Sequence, residues 1–310
     1  FGRDANTPDE LRAQLQQIFQ ATKGGLQHVL LVGDHEDVPG KQGLHIRGPT
    51  DHYYRAIDTA DYATDINGPD VNVGRFPAAN EEQLAAMVAK SIRYQTRQFK
   101  NVSWVGKAAW LATHDRWQVA EGTHNHVIQT HTAPSGYIGM VPFANMPGGD
   151  QLYPITHKVT RQQIMSAFGE GRGWIQYSGH GTYSGWEDMN QAEVRALASD
   201  ALPFVVSNSC LTGDYSQAET FAETWIRHPQ GAIFFWGSVD LTYWDEDDIL
   251  EKKQVDGMYL VNRRTFGEIT NYALSELWRH LGGEGRSKYY WETYTSFGDP
   301  SIEYLLHKHQ

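Results

Sequence analysis

Gly173-Trp-Ile-Gln-Tyr-Ser178 runs into Gly179-His180-Gly181, and Pro203-Phe-Val-Val-Ser-Asn208 runs into Ser209-Cys210. These two stretches decide the fold. Each is an apolar run of strand length bounded by turn-forming residues. The first ends at a histidine, and the second, 210 − 180 = 30 residues on, ends at a thiol. In a parallel sheet, ligands and catalytic groups gather at the carboxyl ends of the strands. Neighbouring strands lie ~4.8 Å apart, so two such ends bring both side chains within reach of one substrate. That pairing points to a cysteine–histidine nucleophilic site.

Outward from these runs, helix-like and strand-like segments alternate, which argues a mostly parallel sheet with helices on its faces. Thr7-Pro8-Asp9-Glu10 reads as a capping box with proline at the first helical position. Leu11, Leu15, Ile18 and Phe19 then make one apolar face, closed by Gly24-Gly25. His28-Val-Leu-Leu-Val-Gly33 and Val71-Asn-Val-Gly-Arg-Phe76 read as strands, and Asn80 as the cap of a helix carrying Leu84, Val88 and Ile92. The pattern then restarts, with strand-like runs at 104–112, 136–141, 173–178, 203–208 and 231–236. Helices are expected near 160–168, 190–199, 217–228 and 266–281, the last closed by Gly282-Gly283. With no flexible linker, the expectation is two packed subdomains, 1–100 and 101–310.

Composition narrows the function. A net charge of −11 over 310 residues argues against nucleic acid and anionic membrane surfaces. No 18-residue apolar stretch is present, so no transmembrane helix is expected. The start, Phe-Gly-Arg-Asp, is not a signal peptide and reads as a processed N-terminus. One cysteine allows no internal disulfide and no multi-cysteine metal site. Gly-x-x-x-x-Gly-Lys is absent, which leaves nucleotide binding little support.

Cys210 alone reads first as a small buried hydrophobe. Its place after a strand and ahead of Thr-Gly-Asp and a helix favours a nucleophile, because a helix N-terminus and a nearby imidazolium both favour thiolate. His180 stands apart from the other histidines because glycines flank it, letting a substrate approach the backbone closely. The N–H groups of Gly181 and Cys210 are the natural oxyanion donors. Asp61, Asp65, Asn67 and Asp70 fall in the cadence Asp-x-Asn-Gly-x-Asp, which packs oxygen ligands around a turn as calcium loops do. The alternative there is an Asx-rich turn. His124, His126 and His131 make a weak zinc motif, since His-x-His on a helix puts the rings on different faces.

Val29-Leu-Leu-Val-Gly-Asp-His, Val73-Gly-Arg-Phe, Tyr177-Ser-Gly-His-Gly, Asn208-Ser-Cys-Leu-Thr-Gly-Asp and Ser296-Phe-Gly-Asp-Pro-Ser together resemble the gingipain family of bacterial cysteine peptidases. The resemblance spans nearly the whole chain in order. It implies a caspase-like α/β/α sandwich, a His180–Cys210 dyad and a secreted or cell-surface endopeptidase with a protein or peptide substrate. It places Asp115 as the carboxylate orienting the histidine, where arginine-specific members carry glutamate. It brings Glu121 to the position that binds a basic side chain before the scissile bond. Trp244 matches a pocket tryptophan, and Asp245, Glu246, Asp247 and Asp248 read either as a solvated acidic loop or as added negative potential beside it. These features favour cleavage after arginine or lysine. The chemistry needs no cofactor, and structural calcium is implied by relatives. Relatives begin with a further strand and helix, so the first subdomain reads as truncated, with a cleaved N-terminal segment as a partner. The rival readings are an inactive scaffold of the same fold, and a thiol transpeptidase or esterase.

Overall fold

The computed structural model describes residues 7–66 and 68–307. Eight strands form one sheet: β1 (His28–Val32), β2 (Asn72–Phe76), β3 (Ala108–Ala112), β4 (Asp150–Leu152), β5 (Trp174–Ser178), β6 (Phe204–Asn208), β7 (Phe234–Ser238) and β8 (Tyr294–Phe297). Their order is β1-β2-β8-β7-β6-β5-β3-β4. Every neighbouring pair is parallel except β7–β8, so two parallel blocks meet at one antiparallel seam. The first block takes β1 and β2 from the start of the chain and β8 from its far end, and the sheet is continuous across the seam.

Among the described residues, ten α-helices accompany it: α1 (Pro8–Ala21), α2 (Tyr62–Asp65), α3 (Glu81–Gln95), α4 (Trp117–Val127), α5 (Arg161–Gly169), α6 (Gln191–Arg195), α7 (Phe221–Arg227), α8 (Trp244–Tyr259), α9 (Phe266–His280) and α10 (Ser287–Thr293). Side chains alternate across a strand, so β3 feeds a core on each face of the sheet, and Val29, Leu31 and Val73 of β1 and β2 join Leu15 of α1 in a third cluster. Ala108, Trp110 and Ala112 of β3 pack into one with residues of α4, α8, α9 and α10. Ala109 and Leu111 pack into the other with residues of α3, α5, α6 and α7. The result is a three-layer α/β/α sandwich, as the sequence pattern leads one to expect.

The caps follow the sequence closely. Thr7 Oγ1 accepts the Glu10 N–H at 3.2 Å, and Asn80 Oδ1 accepts the Gln83 N–H at 2.9 Å. One strand expectation fails. Residues 136–141 contribute only a small ribbon, Ile138–Gly139 against Met146–Pro147, and Asp150–Leu152 holds the edge position of the main sheet instead. Buried Asp150 earns that place by accepting from Arg172 Nε at 2.5 Å, while its other oxygen takes the Val141 N–H at 2.9 Å.

Candidate active site

The site is set by register. β5 and β6 pair in parallel with Ser178 opposite Asn208. The Gly179 N–H continues the ladder by donating to Asn208 O at 3.1 Å. His180 and Cys210 each follow two residues after a paired position, so they stand level at the carboxyl ends of adjacent strands. Closeness of the two loops is visible at Gly181, where a Cβ would lie 2.6 Å from Ser209 Oγ and 2.8 Å from Cys210 O. Only glycine fits there.

Both side chains converge on the segment leaving β7. The Thr242 N–H donates to Cys210 Sγ at 3.3 Å. The imidazole of His180 meets the indole of Trp244 edge-on, with centroids 5.7 Å apart. Cys210 is half-buried, and the His180 side chain is 53% exposed. Asp115, at the end of the loop after β3, puts Oδ2 3.4 Å from His180 Nε2. That loop is tethered from the turn at 187–188: Glu187 Oε2 accepts from Thr113 Oγ1 at 2.5 Å and from the His114 N–H at 3.0 Å, and Asp188 pairs with His114 at 2.8 Å.

Three expectations change. The helix after Cys210 begins only at Phe221, because Leu211 turns the chain in a left-handed conformation (φ 63°). The following helix therefore does not supply the donor; it is the Thr242 N–H, just ahead of the Tyr243 N-cap of α8, which sequence reading missed because a backbone amide has no signature. The acidic cluster is neither a solvated loop nor free potential. It forms the first turn of α8, where acids suit the helix dipole. Glu246 pairs with Arg286 at 2.8 Å, Asp247 is buried against Tyr290 and Tyr294, and Asp248 pairs with Lys252 at 2.6 Å. The histidine cluster also parts: His124 is buried against Ser178, and His131 pairs with Asp256 at 3.1 Å.

Glu121 lies on α4 and is 5% exposed. Its Oε2 accepts from Thr156 Oγ1 at 2.5 Å, whereas buried Oε1 has no hydrogen-bond partner among the described residues. Of the expected calcium ligands, Asp65 and Asp70 come together with Asp58, each offering an oxygen within 4.8 Å of the others. Asp61 instead caps α2, its Oδ1 accepting the Ala63 N–H at 3.1 Å. Asn67 lies outside the described residues. Burial, then the neighbouring Asp58, pushes the Asp65 carboxyl up to about 6. An all-carboxylate donor set with this crowding fits a hard dication such as calcium.

Comparison with known proteins bears on the fold and the family. Gingipain R2 of Porphyromonas gingivalis is 26% identical over 318 residues, covering 96% of this chain. The chain spans 40% of that relative's own length. The crystal structure of the Arg-specific cysteine proteinase gingipain R superimposes with a TM-score of 0.76 at 23% identity, covering 97% of this chain and 69% of that one. A complex of gingipain pro- and mature domains from P. gingivalis gives a TM-score of 0.75 at 24% identity, with 97% and 70% coverage. The model of peptidase family C25 matches residues 1–305. On that match, the chain belongs to peptidase family C25.

Proposed function

We propose that this chain is a cysteine endopeptidase that cleaves after a basic residue. The observation that carries it is the convergence of Cys210 and His180 on Thr242–Trp244 at the ends of adjacent parallel strands. A peptide lies across the strand ends. Cys210 thiolate attacks the scissile carbonyl carbon, forming a C–S bond and an oxyanion held by the N–H groups of Gly181 and Cys210. His180 delivers its proton to the leaving amine as the C–N bond breaks. It then takes a proton from water, which attacks the acyl-enzyme and frees the sulfur. Asp115 orients the imidazole and stabilises its charged form.

The orphaned Oε1 of Glu121 supports a basic side chain before the scissile bond. A buried carboxylate oxygen without a partner is costly, and a guanidinium or ammonium would satisfy it. Trp244 forms the wall beside His180. Calcium held by Asp58, Asp65 and Asp70 would brace the connection between β1 and β2. No described helix is long and apolar enough to cross a membrane, and secretion or surface display belongs to the same proposal. So does a partner cleaved from the precursor. An apolar groove lined by Leu11, Leu15, Ile18, Leu30 and Val32 runs beside edge strand β1 and would seat such a segment.

The test is labelling with peptidyl ketones bearing different terminal residues, together with cleavage of a peptide library varied at the same position. Labelling of Cys210 by arginine or lysine reagents supports the proposal. Silence toward every reagent favours the scaffold, and transfer to an added amine in place of hydrolysis favours the transpeptidase.

A further inference from the structure

We propose that Asp247 and Glu251, one turn apart on α8, are positioning residues that set the loops of His180 and Cys210 in register with each other and with Trp244. This rests on the dyad reading above. Residues four apart share one helix face, and here that face meets the two strand ends. Glu251 Oε2 accepts from Ser178 Oγ at 2.6 Å. Ser178 ends β5, two residues before His180. Its Oγ also lies 3.1 Å from His124 Nε2, so α4 joins the same anchor.

Asp247 does the equivalent for the other strand. Its Oδ1 accepts from Tyr294 OH at 2.7 Å, and that hydroxyl accepts from Asn208 Nδ2 at 3.2 Å. Asn208 ends β6, two residues before Cys210. The same Oδ1 accepts from Tyr290 OH at 3.1 Å, and Tyr290 OH accepts the Tyr243 N–H at 2.9 Å. One carboxylate thus ties the cysteine strand to the segment that carries the Thr242 N–H and Trp244. A second link, Gln176 Nε2 to Asn208 Oδ1 at 2.7 Å, joins the two strands directly.

Neither acid sits in a salt bridge with lysine or arginine among the described residues, although Asp247 is 7% and Glu251 1% exposed. Burial pushes Asp247 up to about 7 and Glu251 up to about 8. Well-packed apolar residues would serve stability better than buried acids. What acids add is directional hydrogen bonding, which fixes geometry.

The experiment compares Asp247→Asn, Glu251→Gln and the double variant with the wild-type chain and with Cys210→Ala. Hydrolysis and ketone labelling by the wild type, and their loss in Cys210→Ala, establish the dyad separately. If they fail, that reading falls on its own. Each near-isosteric variant should then lower kcat about 10- to 100-fold, leave KM within about threefold, and slow alkylation of Cys210 by iodoacetamide. The double variant should lose less than the product of the singles, because both act on one geometry. Should one variant not fold, the other carries the same expectation. Folded variants with kcat and alkylation rate within about twofold of wild type overturn the proposal. So does a loss of activity matched wholly by a smaller folded fraction.

Discussion

The backbone N–H of Thr242 points at the sulfur of Cys210 from 3.3 Å. The same sulfur lies 3.9 Å from Thr242 O, so one residue meets it with both its amide and its carbonyl. Little packing depends on it, since Cys210 is only half-buried. Cys210→Ala should therefore cut kcat/KM on the order of 10⁴-fold or more, while the thermal midpoint moves by no more than a few degrees. Calorimetry alongside an assay with an arginine-ended substrate checks both halves. Retained turnover would refute the nucleophile.

Asp115 meets His180 at 3.4 Å, but its side chain is 71% exposed and that of His180 53%. A buried orienting carboxylate is worth about 10⁴ in kcat, whereas an exposed pair is screened and weak. Asp115→Asn should lower kcat only about 10-fold, and rising salt should shrink the gap to wild type. A loss of 10³-fold or more would mean that substrate closes over the pair and excludes water.

The parallel strands and the two strand ends that carry His180 and Cys210 were readable because each run is short, apolar and punctuated by glycine or proline. Gly179-His180-Gly181 and Ser209-Cys210 carry their chemistry in side-chain identity, and local order along a parallel sheet places them together. The antiparallel insertion of β8 was not readable, because residues 294–297 pair with strands far away in the chain. The first turn of α8 misled for a related reason. Asp247 is buried only because Tyr290 and Tyr294 arrive from α10 and β8 to bond it. Acid-rich composition favours solvent unless distant partners supply donors. The acidic cluster was half readable: the cadence found Asp65 and Asp70, but the helical cap took Asp61 away.

Glu121 makes a sharper test of specificity than of turnover. Its free Oε1 is desolvated before any substrate arrives, so a bound cation would recover that cost and Glu121→Gln would remove the charge without changing shape. We expect kcat/KM for arginine-ended substrates to fall about 100-fold, with a much smaller change for uncharged ones. Initial rates over a panel of end residues would show it. An unchanged preference would place the specificity carboxylate elsewhere.

Lys90 tests the clasp between α3 and α7. Its Nζ donates to the carbonyls of Ile226, Ala232 and His228 at 2.5, 2.9 and 3.0 Å, and the residue is 5% exposed. Burial, then the nearby Arg93 charge, pushes the ammonium down to about 7, and its three partners are carbonyls of the last turn of α7 and the segment after it. Lys90→Met keeps the aliphatic stem and orphans the carbonyls, which should cost about 3 kcal/mol. Urea unfolding should register this as a lower midpoint at unchanged slope. Activity per folded molecule should stay near wild type.

The carboxylates of Asp58, Asp65 and Asp70 link metal to pH. Asp65 has its folded pKa raised to about 6 from an ordinary 3.8, so the folded state holds a proton more tightly than the unfolded chain. That contribution to stability is fully present below about pH 4 and is lost as pH rises through 6. At neutral pH without a cation, the crowded charges therefore weaken the fold. A bound dication replaces the proton and removes the penalty. In chelator-treated protein the thermal midpoint should decline between pH 4 and 7 relative to calcium-loaded protein, and millimolar calcium should restore it at pH 7. Asp65→Asn should remove the decline and the calcium response together, because it takes out both the titrating group and a ligand. Equal midpoints with and without calcium at pH 7 would show that the cluster holds no ion, and the loop would then owe its order to Arg12, whose guanidinium donates to Tyr53 O, Ala56 O and Thr59 O.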